Sequence, residues 1–178
     1  VTYRHDLWEI AASNHGVVTV AEAEDTGVPA VEVRKLAARG VLRSYGQGVY
    51  SHRDVPTTRL TEPAVAAALA GPGAFLQRES VLDLLGVGQF NPRQVRVGTR
   101  RRVRRTLPDW MVLERRADIT DDDLTDVEGV PTTTIPRALQ DLRARVAPHR
   151  WDALVATLVA RELMRPDEIP DLKESARD

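Results

Sequence analysis

The sequence predicts an α+β protein: an N-terminal domain of three helices and a hairpin, then a mixed α/β domain ending in packed helices. Three observations predict it. Helix-start and helix-stop residues punctuate the first forty positions three times, glycines then bracket a hairpin, and two strongly periodic helices close the second part. A length of 178 residues accommodates one medium domain or two small ones.

The first helix is expected over Asp6–Asn14, with Asp6 as its cap and Leu7, Ile10 and Ala11 on one stripe. Val17 and Val18 form a short extended piece. Thr19 and Glu22 have the spacing of a capping box, in which hydroxyl and carboxylate each satisfy an orphan amide, and so start a second helix that ends near Gly27. Pro29 suits the first turn of a third helix, closed by Gly40. That helix turns Ala30, Val33, Leu36 and Ala37 inward and Val31, Arg34, Lys35 and Ala38 outward. Val41–Leu42 and Val49–Tyr50 read as strands joined through Tyr45-Gly46-Gln47-Gly48. Three helices and a hairpin in this order make a winged helix-turn-helix over residues 1–53. Its third helix can enter a major groove with its Arg and Lys on phosphates or guanine edges. The hairpin, with Arg43 before its tip and His52 and Arg53 after it, would lie against the backbone or minor groove. The same fold also serves purely as a protein-binding module, and the near balance of six basic and seven acidic groups in residues 1–55 keeps that alternative open.

Residues 54–61 are polar, contain Pro56, and are expected to be a linker, with the second domain over residues 62–178. Glu62–Ala70 reads as an Ala-rich helix broken by Gly71-Pro72-Gly73, and Arg78–Leu85 as a short helix ended by Gly86. Gln94–Val97 and Met111–Glu114 read as strands, and Val127–Thr134 as an extended or turn segment. Ile135, Ala138, Leu139, Leu142 and Val146 line one helix, and Trp151, Leu154, Val155, Leu158 and Val159 the next, with Pro148 between them. Trp8 and Trp151 are expected in the core, and the last dozen residues are expected to fray.

Composition excludes several classes of function. Charged residues are 29% of the chain and sum to −1, so no global field steers a ligand. The absence of cysteine excludes disulfides, thiolate metal sites and Cys nucleophiles, and fits a cytoplasmic location. The longest apolar run, Ala64–Ala70, is far below the ~20 residues of a bilayer span, and the N-terminus lacks a leader pattern; no membrane partner is expected. Aromatics at 4% leave no platform for stacked bases. The four histidines (His5, His15, His52, His149) lack ligand spacing, and Gly71-Pro72-Gly73 is not a phosphate loop. Ser80 is a helix-start residue rather than a nucleophile. Asp121–Asp123 cannot converge on one cation and more naturally open a helix. Asp109 with Glu114-Arg115-Arg116 resembles a nuclease's spaced acids but has Arg where a catalytic Lys belongs. No enzyme, catalytic residue, cofactor, metal or small-molecule substrate is expected.

The stretch HGVVTVAEAEDTGVPAVEVRKLAARGVLRSYGQGVY resembles the N-terminal winged helix of the AbiEi-type antitoxins of AbiE abortive-infection and toxin–antitoxin systems. GPGAFLQRESVLDLLGV is similar to that family's Pro-Gly turn, short strand and Ser-opened helix, and VEGVPTTTIPRALQDL to its Gly-Val-Pro-Thr-Thr segment leading into a helix. The resemblance implies an autorepressor that binds operator DNA with inverted repeats and an antitoxin against a cognate nucleotidyltransferase-like toxin, neutralised with or without stable contact. By position it implies a DNA face of Arg34, Lys35 and Arg39, with Arg43, Gln47 and Arg53 around the wing. The chain departs from the family at Pro29-Ala30-Val31-Glu32, where Ser or Arg is common, so no base contact is carried over to that end.

Asn91–Pro108 holds seven Arg and no acid, and the next twenty residues hold eight acids. Arg100, Arg101, Arg102, Arg104 and Arg105 therefore form a candidate second basic surface with three readings: a DNA-backbone contact, docking to the toxin, or a loop neutralised by Asp121–Asp123.

Overall fold

The computed structural model describes residues 2–170, and the chain divides into two compact units. The first comprises the residues up to Ala74 together with Arg102–Pro108; the second comprises Phe75–Arg101 and the chain from Asp109 onward.

In the first unit, helix α1 (Tyr3–Ser13) is capped by Thr2, whose hydroxyl accepts the His5 amide at 3.4 Å. Asp6, the expected cap, lies instead in the first turn, where its charge favours the helix N-terminus. Strand β1 (Val17–Thr19) leads through the expected capping box into α2 (Val20–Asp25): Thr19 Oγ1 accepts the Glu22 amide at 3.2 Å, and Glu22 Oε2 accepts the Thr19 amide at 2.8 Å. Helix α3 (Ala30–Ala38) follows, with Pro29 at its N-cap rather than inside it. Strands β2 (Leu42–Gly46) and β3 (Val49–His52) form the hairpin, and the antiparallel sheet runs β1-β3-β2. Leu7, Val18, Ala23, Val28, Val33, Leu42 and Tyr50 make one core, with Leu36 and Ala37 packed against it. This is a winged helix-turn-helix. Trp8 is not part of its core: it is 39% exposed, with its ring stacked on His5.

The division falls elsewhere than the expected linker. The Asp54 amide donates to His52 Nδ1 at 3.2 Å, and the Thr61 hydroxyl donates to the His15 carbonyl at 2.8 Å. Helix α4 (Thr61–Ala70), expected to open the second domain, contacts β1, β2 and β3 of the first unit. A helix whose Ala64, Val65, Ala66, Ala67, Leu69 and Ala70 are all buried has too little polar surface to stand outside a core.

The second unit is a five-stranded mixed sheet ordered β6-β5-β4-β8-β7, formed by β4 (Phe75–Leu76), β5 (Val95–Thr99), β6 (Met111–Arg115), β7 (Leu124–Val127) and β8 (Val130–Thr133). β4 is antiparallel to β5 and parallel to β8, and β5 and β6 are parallel. The turn Glu128-Gly129, both with positive φ, joins β7 to β8 as a tight hairpin. Gly98 faces the Phe75 ring, which occupies the place a Cβ would take. Helices α5 (Glu79–Leu84), α6 (Ile135–Leu142) and α7 (Pro148–Ala160) contribute Leu82, Leu139, Leu142, Trp151, Leu154 and Leu158 to a shared core. Thr134 caps α6, and Pro148 sits in the first turn of α7, where its missing N–H is harmless. The fraying expected of the C-terminal tail falls mostly outside the described residues.

Candidate nucleic-acid interface

Helix α3 is held at both ends by backbone chemistry, which fixes the face it presents. The α2–α3 turn uses Gly27 at φ +89° and then buries Val28. At the other end the Gly40 amide donates to the Ala37 carbonyl and the Val41 amide to the Leu36 carbonyl, both at 3.0 Å. This Schellman arrangement needs the left-handed φ of +78° at Gly40. Val33 is fully buried between these anchors, and Val31, Arg34, Lys35, Ala38 and Arg39 are exposed. The predicted inward and outward faces are those of the structure.

Glu32 is half-buried and accepts from Lys35: Nζ lies 2.8 Å from Oε1. The carboxylate therefore does not stand bare on the helix surface, and part of the Lys35 charge is balanced within the protein. Arg39 is the C-cap of α3, next to Gly40, and the exposed Arg53 lays its guanidinium over the same glycine, with Nη1 3.4 Å from where a Cβ would be. A cation there also complements the helix C-terminus. On the wing, Arg43 stacks over the Tyr45 ring at 5.0 Å. Gln47 occupies the hairpin tip at φ +53°, followed by Gly48 at +72°, the two-residue turn that matches strand twist. All six expected DNA-face residues are exposed and lie on α3, the wing and the residue after it.

The arginine run is divided between the two units, Arg100 and Arg101 in the second and Arg102, Arg104 and Arg105 in the first. Arg100 Nη1 pairs with Asp121 Oδ1 at 2.8 Å in the second unit. Arg105 belongs to the first unit, where Nη1 donates to the Leu69 carbonyl at 3.0 Å, capping the C-terminal turn of α4. Arg101, Arg102 and Arg104 are exposed. Asp121–Asp123 form a single 3-10 turn capped by Thr120, and Asp123 pairs with Arg137 at 3.3 Å. No group of three His, Cys, Asp or Glu among the described residues is arranged to hold a metal ion.

Sequence reasoning missed a charge cluster in the second unit. Arg116, 5% exposed, forms a fork with Asp141 (3.0 and 3.1 Å) and another with Asp118 (2.9 Å for both bonds), and also donates to Gln77. Arg137 reaches Asp118, Asp123 and Asp141. The guanidinium of Arg116 pulls the Asp118 carboxyl well below the usual carboxylate range. Glu114 accepts from Gln77 at 3.2 Å and from Arg78 at 3.0 Å. Of the groups that resembled a nuclease's set, Glu114 and Arg116 are both held by Gln77, whose Nε2 donates to Glu114 and whose Oε1 accepts from Arg116. The only local trace in the sequence was the spacing of Arg137 and Asp141, one helical turn apart.

Residues 6–51 match the family described as transcriptional regulator, AbiEi antitoxin. The winged helix of the first unit is therefore similar to that of the AbiEi antitoxins over this segment. The match covers the helices and hairpin that carry Arg34, Lys35, Arg39, Arg43 and Gln47. No curated protein matches the chain. Among the described residues no helix is long and apolar enough to cross a membrane.

Proposed function

We propose that the protein is an operator-binding autorepressor and the antitoxin of a nucleotidyltransferase-like toxin in the cytoplasm, and that it is not an enzyme. One observation carries the reading: α3 seals an aliphatic core with Val33 while holding Arg34, Lys35 and Arg39 in solvent, inside a segment of an antitoxin regulator family. Arg34 and Lys35 enter the major groove of each half of an inverted repeat, and Arg39, Arg43, Gln47 and Arg53 hold flanking phosphates. Arg101, Arg102 and Arg104 supply further cationic contacts to DNA or to the toxin, and the second unit serves neutralisation.

Fluorescence anisotropy of the full chain on the duplex upstream of its gene tests this. Binding weakens as salt rises, and Arg53→Ala lowers the slope of log K against log salt by about one. No binding at low salt defeats the repressor reading. A second reading, direct blockade of the toxin with little DNA binding, draws on the balanced charge of residues 1–55 and on the Glu32–Lys35 pair. It predicts co-purification with the toxin and no shift on the promoter.

A further inference from the structure

On α3 one large apolar side chain is left in solvent. Val31 is 47% exposed, whereas Val33, two residues on, is fully buried. A single exposed valine argues nothing; its place does. Val31 is the second residue of the helix, one turn ahead of Arg34 and Lys35 on the same outward face. The N-terminal residues of a recognition helix are those that reach base edges, while longer cationic side chains reach the phosphates beside them.

Around Val31 the other side chains of the first turn are apolar or already in an ion pair. Pro29 and Ala30 carry no polar side-chain atom, and the Glu32 carboxylate is engaged by Lys35. An isopropyl group neither donates nor accepts, so it cannot tell apart bases by their hydrogen-bonding edges. Thymine alone presents an apolar group in the major groove, its 5-methyl, and apolar side chains read that group by contact. The core does not require valine at this position, and a β-branched residue is a poorer choice than alanine for a solvated helix surface.

We propose that Val31 reads the 5-methyl group of a thymine, so that the base preference at this end of α3 is apolar. The inference rests on the DNA-binding reading and deepens it.

The test selects preferred duplexes from a randomised library with the full-length protein, then replaces each thymine in turn by deoxyuridine, which removes only the methyl. At one thymine in each half-site the replacement weakens wild-type binding about fourfold, the factor equivalent to burying one methyl-sized group. In Val31→Ala that position becomes indifferent to the methyl, while Arg34→Ala still loses affinity. Duplex binding with no methyl-sensitive position, or with the same sensitivity in wild type and Val31→Ala, overturns this inference and leaves the DNA-binding reading standing. Failure of the wild type to bind any duplex removes both.

Discussion

Lys35 Nζ and Glu32 Oε1 are 2.8 Å apart on the exposed face of α3, one helical turn from each other. Such a pair adds only about 0.2–0.5 kcal/mol to a helix, so its larger consequence is electrostatic. It restrains a cation that would otherwise be free to meet phosphate. Glu32→Gln is expected to raise duplex affinity several-fold at low salt and to steepen the salt slope by up to about one. Lys35→Ala should cost more affinity in the Glu32→Gln background than in the wild type. Equal losses in a double-mutant cycle of binding constants would show that the pair does not hold Lys35 back.

Arg105 and Arg104 are neighbours with different tasks. Arg105 caps α4 through the Leu69 carbonyl, and Arg104 is exposed. Arg105→Ala should destabilise the protein by about 1–2 kcal/mol in chemical denaturation, whereas Arg104→Ala should stay within about 0.5 kcal/mol. The comparison separates a helix-capping arginine from one available to a partner.

Arg116 is buried and holds two carboxylates, the nearly buried Asp141 and the exposed Asp118. Arg116→Ala leaves Asp141 without its bidentate partner and should cost about 3–5 kcal/mol. The acid limb of the stability curve reports the same cluster. Asp118 has a depressed carboxyl pKa in the folded protein, so its contribution is fully present above about pH 3.9, the unfolded value, and is lost as pH falls below it. Denaturant midpoints between pH 5 and pH 2.5 should therefore fall less steeply in Arg116→Ala than in the wild type.

His52 gives a second pH response at milder acidity. It is 2% exposed, and burial lowers its pKa in spite of the nearby Asp54 carboxylate. The unfolded chain takes up a proton near pH 6.5 while the folded protein still resists it, so stability should decline as pH drops below about 6.5 and level off below the folded pKa. His52→Asn retains an acceptor in place of Nδ1 for the Asp54 amide and removes the titration. Its melting temperature between pH 7.5 and 5.5 should be flatter than that of the wild type.

Gly98 of β5 pairs with Phe75 of β4. Gly98→Ala puts a methyl group into the Phe75 ring and within 3.1 Å of Gln77 Oε1, an overpacking expected to cost about 1–3 kcal/mol. Thermal unfolding checks it, and pairing the change with Phe75→Leu should restore part of the loss.

The elements of this protein are written into its sequence because their signals act over a few residues. The Thr19–Glu22 box, the glycine closing α3, the Gly46–Gly48 hairpin and the period of 135–159 each bias backbone geometry locally, and they determined the winged helix and the faces of α3. Which side chains meet across the chain was decided only by the tertiary structure. Arg116 and Asp141 are 25 residues apart, Arg105 and Leu69 are 36 apart, and Gln77 and Glu114 are 37 apart. A charge run reads alike whether its members cap a helix, pair with an acid or face solvent, and membership of α4 in one unit or the other depends on the sheet available to cover it. Local propensity sets where a helix begins and ends; burial and charge pairing, which need distant residues brought within a few ångströms, set what its side chains are for.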